Sequence, residues 1–231
     1  MIDLPLVKMQ EIASTKYDLN NFPTAFVYDF LYNSLSFGIS NLTLNDVVSV
    51  LTDQPSTLEE RKILAIKNYY KAFQFVLKMV KEKKEMDENS LKDLHEIIMD
   101  EVNVGGLYRQ VDIFVEGSRY APPAHIKVYE RMKKYFQTLS DYPTNTFEEI
   151  MNKAAYSMLQ LDKIHPFLDG NGKLARLVLN YYLLMHNLAP VVFLNKDKEK
   201  LFEYIEEYKV NKNSAPFIEY LINLEKISLD R

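Results

Sequence analysis

The chain has 231 residues, 47% hydrophobic and 26% charged, enough to bury one substantial core and compatible with one domain or two. Cysteine is absent, which excludes disulfides, thiolate metal sites and cysteine nucleophiles. A net charge of −4 gives no electrostatic case for binding nucleic acid.

The opening segment, Met1 to Lys8, is interrupted by Asp3 and Pro5 and has no basic leader, so it does not read as a signal peptide. From Thr57 onward, Ile63, Ile66, Tyr70, Phe73, Leu77 and Val80 recur at helical spacing. They predict one long amphipathic helix capped by Ser56 or Thr57. The charge run from Lys78 to Glu88 has the composition of a solvated helix end. Ser90 starts a further helix.

Gly106-Leu107-Tyr108-Arg109, then Val111, Asp112, Ile113, Phe114 and Val115, then Glu116-Gly117-Ser118-Arg119-Tyr120 and Pro122-Pro123, predict a short β-hairpin with a proline-stiffened exit. Nothing else in the chain carries a convincing β signal. Thr146 begins another helix, with Glu149 placed to complete a capping box, and that helix runs to about Lys163. The next begins near Gly172 and shows Leu174, Leu177, Val178, Tyr181 and Tyr182 on its apolar period. The most apolar stretch, Leu177 to Leu194, is broken by Asn180, His186, Asn187 and Pro190 and is no membrane span. Helices are also expected over roughly 196–210 and 216–226. With no Pro/Gly/Ser-rich linker and no repeat, the expectation is one all-α domain over residues 1–231, with the hairpin added.

Between the two central helices lies His165-Pro166-Phe167-Leu168-Asp169-Gly170-Asn171-Gly172-Lys173-Leu174-Ala175-Arg176. Each residue type suits chemistry at phosphorus. His165 can take a proton near neutral pH, and Asp169 offers oxygen to a hard cation. Gly170 and Gly172 permit a tight bend around Asn171, which would aim helix N-terminal N–H groups and a positive dipole end at one point. Lys173 and Arg176, three apart on the first helical turn, lean towards the same anion. His165 and Asp169 could instead be two ligands of a hydrolytic metal site, but no further His/Asp/Glu cluster supplies a third. His95, His125 and His186 are assigned no catalytic part.

This segment resembles the signature of Fic proteins, His-x-Phe-x-(Asp/Glu)-Gly-Asn-Gly-Arg-x-x-Arg, and matches at every position except Lys173, where the family usually has arginine. The resemblance implies an all-α, Fic-type helical bundle with a short β-hairpin flap over the active site. Its N-terminal helical part would be residues 1–89, the Fic core 90–190 and the C-terminal helices 191–231. It implies that His165 deprotonates a target hydroxyl and that Asp169 holds Mg²⁺ against the phosphates of ATP. Phe167, Gly170, Asn171, Gly172, Lys173 and Arg176 would form the nucleotide site, with Arg176 on the terminal phosphate. Lysine at 173 keeps the charge but loses the planar fork. The segment from Gly106 to Arg109 resembles the family's lead into a flap whose Val111, Asp112, Ile113, Phe114 and Val115 would pair with an extended target segment.

Many Fic proteins restrain themselves with a helix bearing Ser/Thr-x-x-x-Glu, and the glutamate pairs with the second motif arginine. Here Leu42-Thr43-Leu44 sets a register that keeps Ser34 and puts Gly38 where the glutamate would be. Ser56 to Glu60 and Thr144 to Glu148 share the bare spacing but read as capping chemistry. The resemblance therefore implies a protein adenylyltransferase that moves AMP from ATP to a Ser, Thr or Tyr hydroxyl of a protein target or of itself, without an internal glutamate brake. A Fic-type phosphotransferase with another donor or donor orientation, and a nucleotide-binding regulator without turnover, stay open. So do a small inhibitory partner protein that supplies the missing carboxylate, and a homo-oligomer. No nucleic-acid or membrane partner is expected. A cytoplasmic location is expected, with secretion as an effector left open.

Overall fold

Apolar residues recur at three- and four-residue spacing through most of the chain, and the computed structural model, which describes residues 4–230, meets that period with ten α-helices over those residues. They are α1 (Leu6–Lys16), α2 (Thr24–Leu35), α3 (Leu44–Leu51), α4 (Glu60–Lys81), α5 (Glu88–Met99), α6 (Val128–Asp141), α7 (Phe147–Ile164), α8 (Asn171–Met185), α9 (Lys198–Asn211) and α10 (Ala215–Asp230). Single 3₁₀ turns at His125–Lys127 and Asn195–Asp197 lead into α6 and α9. Met1, Ile2 and Asp3, which bear on the expectation about the leader, lie outside the described residues. Among the described residues no helix is long and apolar enough to cross a membrane.

The capping box predicted at the start of α7 forms. Glu149 N donates to Thr146 Oγ1 (3.2 Å) and Thr146 N to Glu149 Oε2 (3.0 Å), which pairs two N–H groups that a helix start otherwise leaves open. Two other caps move. The helix expected behind Ser56 or Thr57 starts at Glu60 without a side-chain cap, and the Ser56 hydroxyl instead accepts from Leu58 N (3.2 Å). The helix expected at Ser90 starts earlier, because the Asp87 carboxylate accepts from Ser90 N (2.7 Å) and is itself the cap.

α7 and α8 pack along their length at the centre of the molecule. Ala154 and Ala155 of α7 are small enough to admit close approach, and α8 is buried on nearly every side from Leu174 to Leu184. An all-round apolar helix can only sit inside, so its N-terminus is fixed by everything packed around it. Phe30 of α2, and Tyr69 and Phe73 of α4, form an aromatic layer against this centre with ring centroids 5.2 and 5.6 Å apart. Each such buried ring stabilises the fold by roughly 1.5–3 kcal/mol.

Polar side chains lock the return from α8. Asn180 accepts from Val191 N (2.7 Å) and donates to the carbonyls of Arg176 and Val191. Glu225 of α10, fully buried, accepts from Ala189 N (2.8 Å), and burial pushes its carboxyl up to about 8.

The predicted hairpin is not there. Residues 106–124 contain no strand, only turns and extended loop. A ladder needs backbone N–H and C=O groups that face each other, and here side chains take groups towards both ends of the segment and leave those of 112–114 unladdered. The Arg109 guanidinium donates to the carbonyls of Val111 (2.9 Å) and Pro123 (2.5 Å). The Asp112 carboxylate accepts from His125 N (2.6 Å), and Glu206 of α9 accepts from Arg119 N (2.8 Å). Val111, Asp112, Ile113, Phe114 and Val115 therefore form a loop flap, with the Phe114 side chain 91% exposed.

Candidate active site

The site is built where α7 stops and α8 starts. His165 is the C-cap of α7, with φ 51° and ψ 60°. A non-glycine residue in this left-handed region costs about 1–2 kcal/mol, so the surroundings must hold it. Its N–H donates to Leu161 O (2.9 Å), and its carbonyl accepts from Arg109 Nε (2.9 Å). The ring's Nδ1 lies 3.3 Å from the Asp162 carbonyl. A carbonyl only accepts, so Nδ1 carries the proton and Nε2 is the acceptor of the neutral ring. Burial pushes the imidazole below its ordinary pKa, a shift opposed by Asp162 and reinforced by Lys209 and Arg109. His165 is thus a neutral imidazole at physiological pH, with Nε2 as its acceptor.

The rest of the loop is self-tied. Asn171 Oδ1 accepts from Phe167 N (3.0 Å) and Nδ2 donates to Phe167 O (2.9 Å), so the amide spans the bend like a rung. Gly170, at φ 76°, leaves no room for a side chain, since an added Cβ would lie 2.8 Å from Met99 Sδ and 3.2 Å from His95 Nε2. His95 fastens this bend to the start of the flap. Its Nδ1 accepts from Gly106 N (3.0 Å), so Nε2 donates to Asp169 O (2.9 Å), and its ring stacks on Phe167 at 3.7 Å. Phe167 accordingly lies beneath the loop as a fully buried platform and is not part of the cavity wall.

α8 begins with no side-chain cap, so the first-turn N–H groups lack an intrahelical acceptor and face outward. They open onto a cavity of about 360 Å³ that is also lined by His165, Asp169, Lys173 and Arg176. The Asp169 carboxylate is exposed there and accepts from Gly170 N (2.6 Å). Burial pushes the Lys173 ammonium below its ordinary pKa, partly offset by Asp169.

Arg176 is held by Ser34 and Phe37 of the N-terminal region. Its Nε and Nη2 donate to Ser34 Oγ (2.5 Å) and Ser34 O (2.9 Å), and its guanidinium carbon sits 4.7 Å from the Phe37 ring centroid. Tyr69 OH donates to Lys173 O (3.0 Å), so it accepts from the Ser34 hydroxyl (2.7 Å). Gly38 lines the same cavity, with nothing within 4 Å of where its Cβ would be.

The structure thus gathers His165, Asp169, Gly170, Asn171, Gly172, Lys173, Arg176, Ser34, Gly38 and Val115 at one cavity. Val111, Asp112, Ile113 and Phe114 lie outside it on the flap. Five residues not assigned to the site from sequence also belong to the arrangement: Arg109, His95, Asp162, Glu206 and Lys209. Asp162 was within reach, three residues before His165 on one helix. The Lys209 partnership spans 47 positions and leaves no local signal.

The Fic/DOC family pattern matches residues 85–183, a span that takes in α5, the flap, α7, the bend and most of α8. Residues 85–183 form a Fic/DOC family domain. The chain is 24% identical over 211 residues to the protein adenylyltransferase Fic of Drosophila persimilis, covering 88% of this chain and 40% of that protein. It therefore spans well under half the length of that relative. A Fic domain containing signaling protein from Bacteroides thetaiotaomicron superposes with a TM-score of 0.83 at 17% identity, over 97% of this chain and 94% of that one. Fic-1 from C. elegans gives 0.81 at 19% identity, over 98% and 71%. Both likenesses establish the Fic fold, and neither carries an activity across.

Proposed function

We propose that this Fic domain is a protein adenylyltransferase that moves AMP from ATP to a hydroxyl of a target protein. One observation carries the proposal: His165, with Nε2 as its acceptor, lines the same cavity as the uncapped α8 N-terminus, Lys173 and Arg176. In the step, Nε2 takes the proton of the target hydroxyl, and the oxygen forms a bond to the α-phosphorus. The bond from that phosphorus to the bridging oxygen breaks, and pyrophosphate leaves with its electron pair. Donor N–H groups and the two cations stabilise charge on the phosphate oxygens, an arrangement that acts by positioning and electrostatics.

A lone exposed carboxylate beside a phosphate seat fits Mg²⁺, which is commonly held by one or two carboxylates together with substrate phosphates. Asp169 would hold it, and the ion would supply charge neutralisation at the phosphates. The flap would present the target, since an extended loop can pair with an extended chain through its backbone. The names of the adenylyltransferase relatives support the reaction class.

Regulation follows from Arg176. Its partners are a hydroxyl and a carbonyl of Ser34, with glycine at 38 where the resemblance expects a carboxylate. The guanidinium is left to receive a terminal phosphate, so the domain works without relief of an internal brake.

His165→Ala tests the reaction. A general base is worth about 10²- to 10⁴-fold in rate, so label from α-labelled ATP should fall by that factor while ATP affinity holds. Equal labelling by the variant would remove His165 from the mechanism.

A further inference from the structure

The cavity is also walled by charged groups from α7 and α9. Lys209 of α9 is only 5% exposed, yet its ammonium lies 2.7 Å from Asp162 Oδ1 of α7 and 3.5 Å from Glu206 Oε1. Glu206 in turn has both oxygens on the flap, accepting from Ser118 Oγ (2.5 Å) and Arg119 N (2.8 Å). Burial alone would raise the Glu206 carboxyl, but these two bonds and the Lys209 charge outweigh it and hold it below the usual range. Lys163 of α7 adds a second tie, with its ammonium 4.8 Å from the Tyr120 ring centroid and donating to Lys209 O (2.7 Å).

A buried lysine between two carboxylates is expensive to desolvate and does little for net stability. What it does here is fix a geometry. Asp162 provides the carbonyl that accepts from His165 Nδ1, and its carboxylate meets Lys209. The far end of the flap is therefore joined through Glu206, Lys209 and Asp162 to the residue that sets the base's tautomer. Arg109 makes the matching connection at the near end, from Val111 and Pro123 to His165 O.

We propose that Glu206 is the strap that fixes the flap over the cavity, and that Lys209 is a positioning residue which ties that strap to the turn bearing His165. The strap stands on its own geometry. Its consequence for transfer rests on the adenylyltransferase reading above: a target segment docked on the flap is held at a set height over Nε2, so loosening the strap weakens target use and leaves the phosphate seat intact.

The experiment compares wild type with Glu206→Ala, Glu206→Gln, Lys209→Met and Lys209→Arg. Amide hydrogen exchange across residues 111–121 is followed together with ATP affinity, and KM and kcat for a protein target. A charge-assisted hydrogen bond is worth about tenfold or more in an equilibrium constant. Glu206→Ala should therefore speed exchange at 115–121 by about tenfold, with ATP affinity within about twofold of wild type. KM for the target should rise about tenfold while kcat falls much less. Lys209→Met should do the same more weakly, and Lys209→Arg and Glu206→Gln should each recover part of the loss.

Unchanged flap exchange in Glu206→Ala, with the variant folded as judged by its unfolding midpoint, would overturn the strap. Faster exchange with KM and kcat as in wild type would overturn the positioning role. If wild type transfers nothing to any target, the reaction assignment fails, and flap exchange alone then decides the strap.

Discussion

The bend at 165–171 and the flap at 106–124 border one cavity, and both are irregular backbone, yet the bend is tied largely from within, beside its links to His95 and Arg109, and the flap largely from elsewhere. The bend is tied by residues within four positions of each other: Asn171 to Phe167, His165 to Leu161 and Asp162, Gly170 to Asp169. The flap is tied from a distance, by Arg109 reaching His165 and Pro123, by Arg109 N donating to Pro166 O, and by Glu206 reaching back 87 and 88 positions to Arg119 and Ser118. Local ties survive as a motif in the sequence. Distant ties do not, and a segment that depends on them is easily mistaken for one that pairs with itself.

Arg109→Met gives the largest effect, because it strikes where the two regions meet. It removes the donor from the part-buried hydrogen bonds to the carbonyls of His165, Val111 and Pro123, at up to about 1–3 kcal/mol each. The unfolding midpoint should fall by several degrees, and transfer should drop by about 10²-fold as the base and the flap both lose their fixed positions. A variant with wild-type transfer would show that the two regions are independent.

Gly38→Glu acts on the phosphate seat alone. Nothing lies within 4 Å of the new Cβ, so the fold should hold. A carboxylate that reaches Arg176 should lower transfer by about tenfold or more, since a hydrogen bond to a charged group is worth that much. An unchanged rate would mean that Gly38 is not in the inhibitory register.

Gly170 and Gly117 sharpen the contrast at equal backbone conformation, since both have φ 76°. Alanine at 117 meets nothing within 4 Å, so it should cost only the conformational penalty of about 1–2 kcal/mol. Alanine at 170 should cost more than that, because its Cβ lands 2.8 Å from Met99 Sδ, and it should also weaken ATP binding. Equal midpoints for the two variants would mean that the bend yields as readily as the loop.

The smallest effect is on pH. Burial pushes His165, His95 and His186 below the ordinary imidazole value. The unfolded chain therefore binds more protons than the folded one below about pH 6.5, and stability rises with pH there. The stability these groups contribute is present above that value and is lost as pH falls through their folded pKa values. Glu225 works in the other direction: with its carboxyl pushed up to about 8, stability falls as pH rises towards that value. Urea midpoints for wild type and Glu225→Gln at pH 6 and pH 8.5 should show the variant losing less on the alkaline side. The transfer rate should rise with pH and level off before neutrality, as His165 becomes neutral.

Much of the helical frame was legible because it follows from periodicity and capping. Thr146 with Glu149 marks the start of α7, and the apolar period from Leu174 to Tyr182 marks α8. The caps that moved, from Ser56 to no cap and from Ser90 to Asp87, did so because several oxygens competed for one helix start. In the site, His165, Asp169, Lys173 and Arg176 could be named from spacing, and Ser34 from its register with Leu42-Thr43-Leu44. Phe167 could not be placed, since its stacking partner His95 lies 72 positions away. Lys209 and Glu206 were invisible for the same reason, since the partners that bring them to the site, Asp162 for one and Ser118 and Arg119 for the other, lie 47 and 87 or 88 positions away.

The central claim is that the protein's own cavity directs attack at the α-phosphorus. The direct measurement supplies purified protein and cell lysate with ATP labelled at the α-phosphate, and in parallel at the γ-phosphate, with Mg²⁺ and the His165→Ala variant alongside. Protein-bound label from the α position alone, dependent on His165, is the predicted result. Label from the γ position alone, or α-label that persists without His165, would contradict it.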